Sequence, residues 1–356
     1  PSLLAKWMPS ENASSQSTKE MARRLAYELK LTSRQYRKML SGLRAKINVL
    51  ERLMSANRWD EIEFDKIPSK AGLIYKNAFA RRDIIAKKYE HFAKDKNTKV
   101  NAAALYPYEV VAKACPQYSW YGGFQDKSET DRAMINKYWE NLPDYLNGAD
   151  ANILCVIDTS GSMTCADGTS VKPIDVAISL GLYCAERNRG AFANHYISFA
   201  SRPQLIATNG YDFIDKVQRI YKTNLIDNTN LEAVFDLLLD KVSNGRAKAE
   251  DLPSTIVVIS DMQIDSATRC SWSEDNAATE MEKIKAKWKR AGIRCPKIVY
   301  WNVSARGDAN IIDKGPDVSF VSGFSPVIFQ SVLTGKTGRD LMLEVICGKR
   351  YEAVTL

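Results

Sequence analysis

Apolar and polar residues follow two different rhythms along this chain, and the change between them falls near residue 150. Before that point apolar positions recur every three or four residues, as on one face of a helix. Met21, Leu25 and Leu29 make one such stripe, with Ser17 and Glu20 spaced as a capping box ahead of it. Thr32 and Gln35 repeat the device before Leu40, Leu43, Ile47 and Leu50, which should face a core, and Pro68 and Ser69 open a helix carrying Ala71, Tyr75, Ala78 and Phe79. Past residue 150 the pattern turns to short continuous apolar runs, ILCVI at 153–157 and IVVI at 256–259. Such runs are what strands covered on both faces look like. Further strands are expected at 195–199, 204–207, 297–302 and 318–321, alternating with helices at 174–185, 211–220, 230–242 and 275–291. The pattern predicts an all-α helical-repeat domain over 1–148 and an α/β domain with a doubly wound, mostly parallel sheet over 149–356.

Residues 101–130 read as a connector. Pro107, Pro116, Gly122 and Gly123 interrupt the periodicity, while Tyr106, Tyr108, Tyr118, Trp120, Tyr121 and Phe124 crowd the same stretch. Aromatics beside basic residues can stack on unpaired bases, or they can pack a connector against its domain. A helix follows from Asp131, with Ile135, Tyr138, Trp139 and Leu142 on one face.

The first buried strand runs straight into Asp158, and Asp158, Ser160 and Ser162 alternate with Thr159 and Gly161. One carboxylate and two hydroxyls can therefore converge from a tight turn beyond the strand's carboxyl end. That is oxygen chemistry suited to a hard cation, since Mg²⁺ is commonly held by one or two carboxylates and keeps some water. The second strand also ends in an acid, Asp261, and between the two lies Thr229, at the start of a helical pattern. In an open α/β sheet ligands sit outside the carboxyl ends of the strands where the winding reverses, so these loops are expected to meet.

Charge divides the chain more sharply than hydrophobicity. Residues 1–100 carry 22 Lys and Arg against 11 Asp and Glu, whereas 151–356 carry 24 of each, within a total net charge of +8. A localised surplus of this kind is the footprint expected for a partner rich in phosphate. Arg34, Arg37, Lys38 and Arg44 form a stripe beside the apolar face of one helix, and Arg81, Arg82, Lys87 and Lys88 cluster farther on. The same surplus is also compatible with solvated helix faces. Seven scattered cysteines without a C-x-x-C pair favour reduced thiols and a cytoplasmic setting. No apolar run approaches the roughly 20 residues of a membrane span, and no G-x-x-x-x-G-K-[ST] phosphate loop is present. Two histidines, His91 and His195, leave little for a histidine-based catalytic or metal centre.

Taken together, the Asp158-x-Ser160-x-Ser162 loop, Thr229 and Asp261 resemble the von Willebrand factor A domain and its metal-ion-dependent adhesion site. The resemblance implies that Asp158, Ser160, Ser162, Thr229 and Asp261 hold Mg²⁺ or Mn²⁺, with Thr223 as the alternative to Thr229. It also implies that an acidic side chain of a protein partner completes the coordination. The helical part, through residues 36–38, 43–44, 49–51, 59–62, 67–69 and 78–83, is similar to a plant and large-virus family of the same layout. That family is related to the TROVE proteins of the Ro ribonucleoprotein type, in which helical repeats bind RNA. The expectation is a non-enzymatic RNA-binding protein with a metal-dependent recognition site, no membrane partner and no small-molecule substrate. The alternative is a protein-only adaptor or structural component of viral type.

Overall fold

The computed structural model describes residues 4–47, 49–115, 118–119, 123–124, 126–145, 152–165, 171–188, 191–223, 230–261, 274–304, 311–313, 317–324, 328 and 338–348. The chain forms two compact units, residues 1–101 and 102–356. Among the described residues no helix is long and apolar enough to cross a membrane.

The first unit is helical: α1 (Leu4–Trp7), α2 (Gln16–Glu28), α3 (Ser33–Lys46), α4 (Leu50–Ser55), α5 (Ser69–Arg81) and α6 (Asp83–Lys94), with two 3₁₀ turns between α4 and α5. The Thr32–Gln35 capping box forms as its spacing predicts, with both reciprocal bonds present. At α2 the cap is Ser15, whose side chain accepts from Thr18 N, rather than Ser17. The expected stripe on α2 is also displaced, because Met21 is 59% and Leu29 48% exposed while Ala22 and Ala26 are buried. Two alanines let α2 approach Tyr36 and Leu40 of α3 closely, and the larger side chains are left outside that contact. The stripe from Leu40 to Leu50 is broken as well: α3 stops at Lys46, and Leu50 begins α4. Leu40 and Leu50 are buried, Leu43 and Ile47 only half-buried. A separate aromatic cluster joins Phe64 to Phe79, Tyr89 and Phe92.

The second unit holds α7 (Pro107–Ala114), the hairpin β1 (Tyr118–Ser119) and β2 (Gly123–Phe124), α8 (Glu129–Glu140), β3 (Ile153–Ile157), α9 (Pro173–Arg187), β4 (His195–Ser198), β5 (Leu205–Ala207), α10 (Phe213–Tyr221), α11 (Leu231–Ser243), β6 (Thr255–Ser260), α12 (Glu274–Arg290), β7 (Lys297–Asn302), β8 (Ile311–Asp313), β9 (Val318–Ser322) and α13 (Gly338–Ile346). Among the described residues seven strands form one sheet in the order β5-β4-β3-β6-β7-β9-β8. β4, β3, β6, β7 and β9 run parallel; β5 and β8 are antiparallel edges. From β3 the chain winds outward to β4 and β5, then returns past β3 to β6 and β7, so the reversal lies between β3 and β6.

Side-chain alternation along β3 explains why both faces are covered. Leu154 and Val156 pack in a cluster with Phe235 and Leu238 of α11 and Trp288 of α12. Cys155 and Ile157 point the other way, toward Gly181 of α9, where a Cβ would stand 2.3 Å from Ile157 Cδ1. The absent side chain is what allows that helix–strand approach. The helix α7 packs on α9, and α8 on α7 and α10. Connector aromatics complete this packing: Tyr106 stacks on Tyr108, Tyr108 meets Phe324 edge-on, and Phe124 meets Tyr221 edge-on. Trp120 and Tyr121 lie outside the described residues.

Candidate functional site

Parallel pairing sets the site. Ile157 is in register with Ile259, and Asp158 N donates to Ile259 O at 3.1 Å, so β3 and β6 end at the same level. Both strands run out of apolar residues at this level, and Asp158, Ser260 and Asp261 fall together at their carboxyl ends, beside the reversal of winding. Asp158 and Ser260 are fully buried, and Asp261 is 8% exposed. Asp158 Oδ1 accepts from Ser160 N at 2.9 Å, an Asx-type turn that shapes the loop. Asp158 Oδ2 accepts from Ser260 Oγ at 2.6 Å. Ser160 Oγ and Ser162 Oγ lie 3.2 Å apart. Asp261 N donates to the sulfur of buried Met163 at 3.1 Å, which ties the β6 end to the β3 loop.

The electrostatics of the cluster are unbalanced. Burial pushes the Asp158 carboxyl above its ordinary value, bonds from Ser260 and Ser160 oppose the rise, and the Asp261 charge adds to it. No Lys or Arg pairs with Asp158 among the described residues. Beside it, the Thr159 hydroxyl is buried with no hydrogen-bond partner. A buried Asp158 carboxylate among hydroxyls, with the Asp261 carboxyl beside it, suits a small hard cation, which would favour the charged form of Asp158. Among the described residues no three His, Cys, Asp or Glu converge as a metal-binding group. Among the described residues the donor set is thus hydroxyl and carboxylate, without imidazole or thiolate.

Of the residues expected to hold a metal, Asp158, Ser160, Ser162 and Asp261 gather at the ends of these two strands. Thr229 lies outside the described residues. The hydroxyl of Thr223 donates to Arg219 O at 3.0 Å and meets Tyr196 Oη at 3.2 Å. Ser260 went unassigned in the sequence because a serine ending an apolar run carries no signal of its own. Only the pairing of β3 with β6 shows it donating to Asp158.

The basic residues divide into two kinds. Arg34, Arg37 and Lys38 stand exposed on α3, and Arg81 and Lys87 on α5 and α6. Arg44 is half-buried and holds the N-terminal turn, donating to Ala5 O at 3.2 Å, Met8 O at 2.7 Å and Ser10 Oγ at 2.9 Å. Arg82 lies 4.8 Å over the Trp59 ring, and Lys88 donates to Asp60 O and Ile62 O at 3.2 and 2.8 Å. These three cations brace the helical unit itself. Lysines on α12 are paired too, Lys285 with Asp317 at 2.8 Å and Lys287 with Asp236 at 2.5 Å.

Two family models match the chain: a domain of unknown function, DUF2828, over residues 2–149, and a second, DUF7788, over residues 152–346. An uncharacterized protein of Acanthamoeba polyphaga mimivirus is 30% identical over 354 residues, covering 94% of this chain and 58% of the relative, so the chain spans little more than half of that relative's length. Among solved structures, the Ro (RSR) protein of Deinococcus radiodurans is similar at 13% identity and a TM-score of 0.42, over 78% of this chain and 50% of that one. The second family model takes in the whole sheet and the Asp158 cluster and spans more than half of the 356 residues, and by that match the chain belongs to the DUF7788 family.

Proposed function

We propose that the protein is a non-enzymatic, RNA-binding component whose α/β unit is a von Willebrand A-type module. In this reading the first unit meets phosphates, and the module holds Mg²⁺ through Asp158, Ser160, Ser162 and Asp261, leaving one coordination position for an acidic side chain of a protein partner. Mn²⁺ has the same oxygen preference and can substitute. The observation that carries the RNA reading is the charge distribution. The compact unit 1–101 has 22 cationic against 11 anionic side chains, and Arg34, Arg37, Lys38, Arg81 and Lys87 lie exposed on it. Support for the metal comes from the buried Asp158, which has no cationic partner among the described residues and has the Asp261 carboxyl beside it. The bound ion would supply charge neutralisation and the open coordination position. The chain's own part is to hold the acid at a fixed strand end and to exclude water around it.

Counterion release separates this reading from a protein-only adaptor. Filter binding of random single-stranded RNA, titrated at two salt concentrations, should give a log–log slope of about −0.7 per phosphate contact. Absence of RNA affinity at low salt would favour the adaptor.

A further inference from the structure

Within the helical unit, the 10–12 loop, α3 and α4 enclose a half-open cavity of about 240 Å³, lined by Ser10, Glu11, Arg37, Leu40, Arg44 and Arg52 among others. Its wall is held in place by the three hydrogen bonds of Arg44 to Ala5, Met8 and Ser10. Inside sits Glu11, its side chain only 9% exposed. Glu11 Oε1 is buried and accepts no hydrogen bond, and Oε2 is 3.9 Å from Arg37 Nε, beyond hydrogen-bond reach. Arg37 and Arg52 are exposed at the mouth, and among the described residues Arg52 has no ion pair. A buried carboxylate without donors is unfavourable, so the site as built calls for donors deep in the cavity and an anion at its mouth.

A guanine nucleotide has that layout. Its Watson–Crick edge presents two adjacent donors, N1–H and N2–H, to a carboxylate. Adenine and cytosine offer one amino group beside an acceptor, and uracil one N–H between two carbonyls. We propose that the cavity binds one unpaired guanine nucleotide, with Glu11 accepting from N1–H and N2–H and with Arg37 and Arg52 pairing with its phosphate. Leu40 supplies apolar contact for the base. A paired guanine has this edge occupied, so the site selects unpaired strands. The source of the nucleotide as RNA rests on the function proposed above; the chemistry of the cavity does not.

The test is fluorescence anisotropy on the full chain with a labelled octauridine, the same oligomer with one central guanosine, and the same with inosine there, alongside GMP as competitor. The guanosine oligomer should bind about tenfold or more tighter than octauridine, as expected for hydrogen bonds to a charged group. Inosine, which lacks the N2 amino group, should lose most of that gain, and Glu11→Gln should abolish the preference for guanosine over octauridine. Equal binding of all three oligomers would overturn the guanine site and leave the RNA reading standing. Binding of GMP with no affinity for any oligomer would keep the site and remove RNA as its source. A guanine preference surviving in Glu11→Gln would overturn the assignment.

Discussion

Asp158 and Asp175 are both buried acids in the α/β unit, and their surroundings predict opposite uses. Asp158 has a second carboxylate and hydroxyls around it, so Asp158→Ala should abolish Mg²⁺ or Mn²⁺ binding in calorimetry while circular dichroism stays native; equal metal heats in both proteins would refute the site. Asp175, in the first turn of α9, has an oxygen with no hydrogen-bond partner. Burial raises its carboxyl to about 7, with Lys172 opposing. Between about pH 4 and 7 the folded chain therefore holds this proton more tightly than the unfolded chain does. Its contribution to stability is fullest at the acid end and is lost as pH rises toward 7. Asp175→Asn removes that dependence, so its stability relative to wild type should improve by about 2–4 kcal/mol between pH 4 and pH 8 in urea titrations. A pH-independent difference would show that Asp175 ionises freely.

Elements transmit these demands through close packing. Gly181 lets α9 lie against β3, and an added methyl group would meet Ile157 Cγ1 at 2.5 Å and Cδ1 at 2.3 Å. Ile157 is 1% exposed, so its side chain has nowhere to retreat, and it immediately precedes Asp158. Gly181→Ala should destabilise the α/β unit by about 1–3 kcal/mol and weaken metal binding with it, in thermal melts and calorimetry on the same sample. On α3 the cations separate by what they touch. Reversing Arg34, Arg37 and Lys38 to Glu should spare folding, lower RNA affinity and reduce the salt slope by about 0.7 for each phosphate that no longer meets a cation. Arg44→Ala should instead unfold the N-terminal turn, because three acceptors are left without their donor, and would be read as a drop in helicity. Unaltered RNA affinity in the triple variant would place the phosphate-binding cations elsewhere.

For the whole molecule, the two proposed activities reside in different compact units, so Asp158→Ala should leave RNA affinity and its salt dependence within error of wild type. A parallel loss of both would show that one site serves both. Much of the layout is legible in the chain itself. Continuous apolar runs ending in Asp158 and Asp261 announce buried parallel strands with acids at their ends, since a strand covered on both faces leaves no position for a polar residue until it stops. The Thr32–Gln35 cap and the helix at Pro68 are equally local, because a cap is satisfied within one turn. What lies beyond local reach is set by pairing and approach. Ser260 joins Asp158 only through the register of β3 on β6, across a sequence separation of 102 residues. The α2 face turns on two alanines, because closeness to Tyr36 outweighs the size of Met21 and Leu29. The edge strand β8 is three residues long, too short to show a period. Arg44 and Lys88 resemble their exposed neighbours in sequence and differ in reaching acceptors on distant segments, Ala5 O, Met8 O and Ser10 Oγ for Arg44 and Asp60 O and Ile62 O for Lys88. Charge and periodicity are properties of the chain and can be read along it. Which cation is used up inside the fold, and which acid is left without a partner, depends on the meeting of distant segments and is decided by tertiary structure.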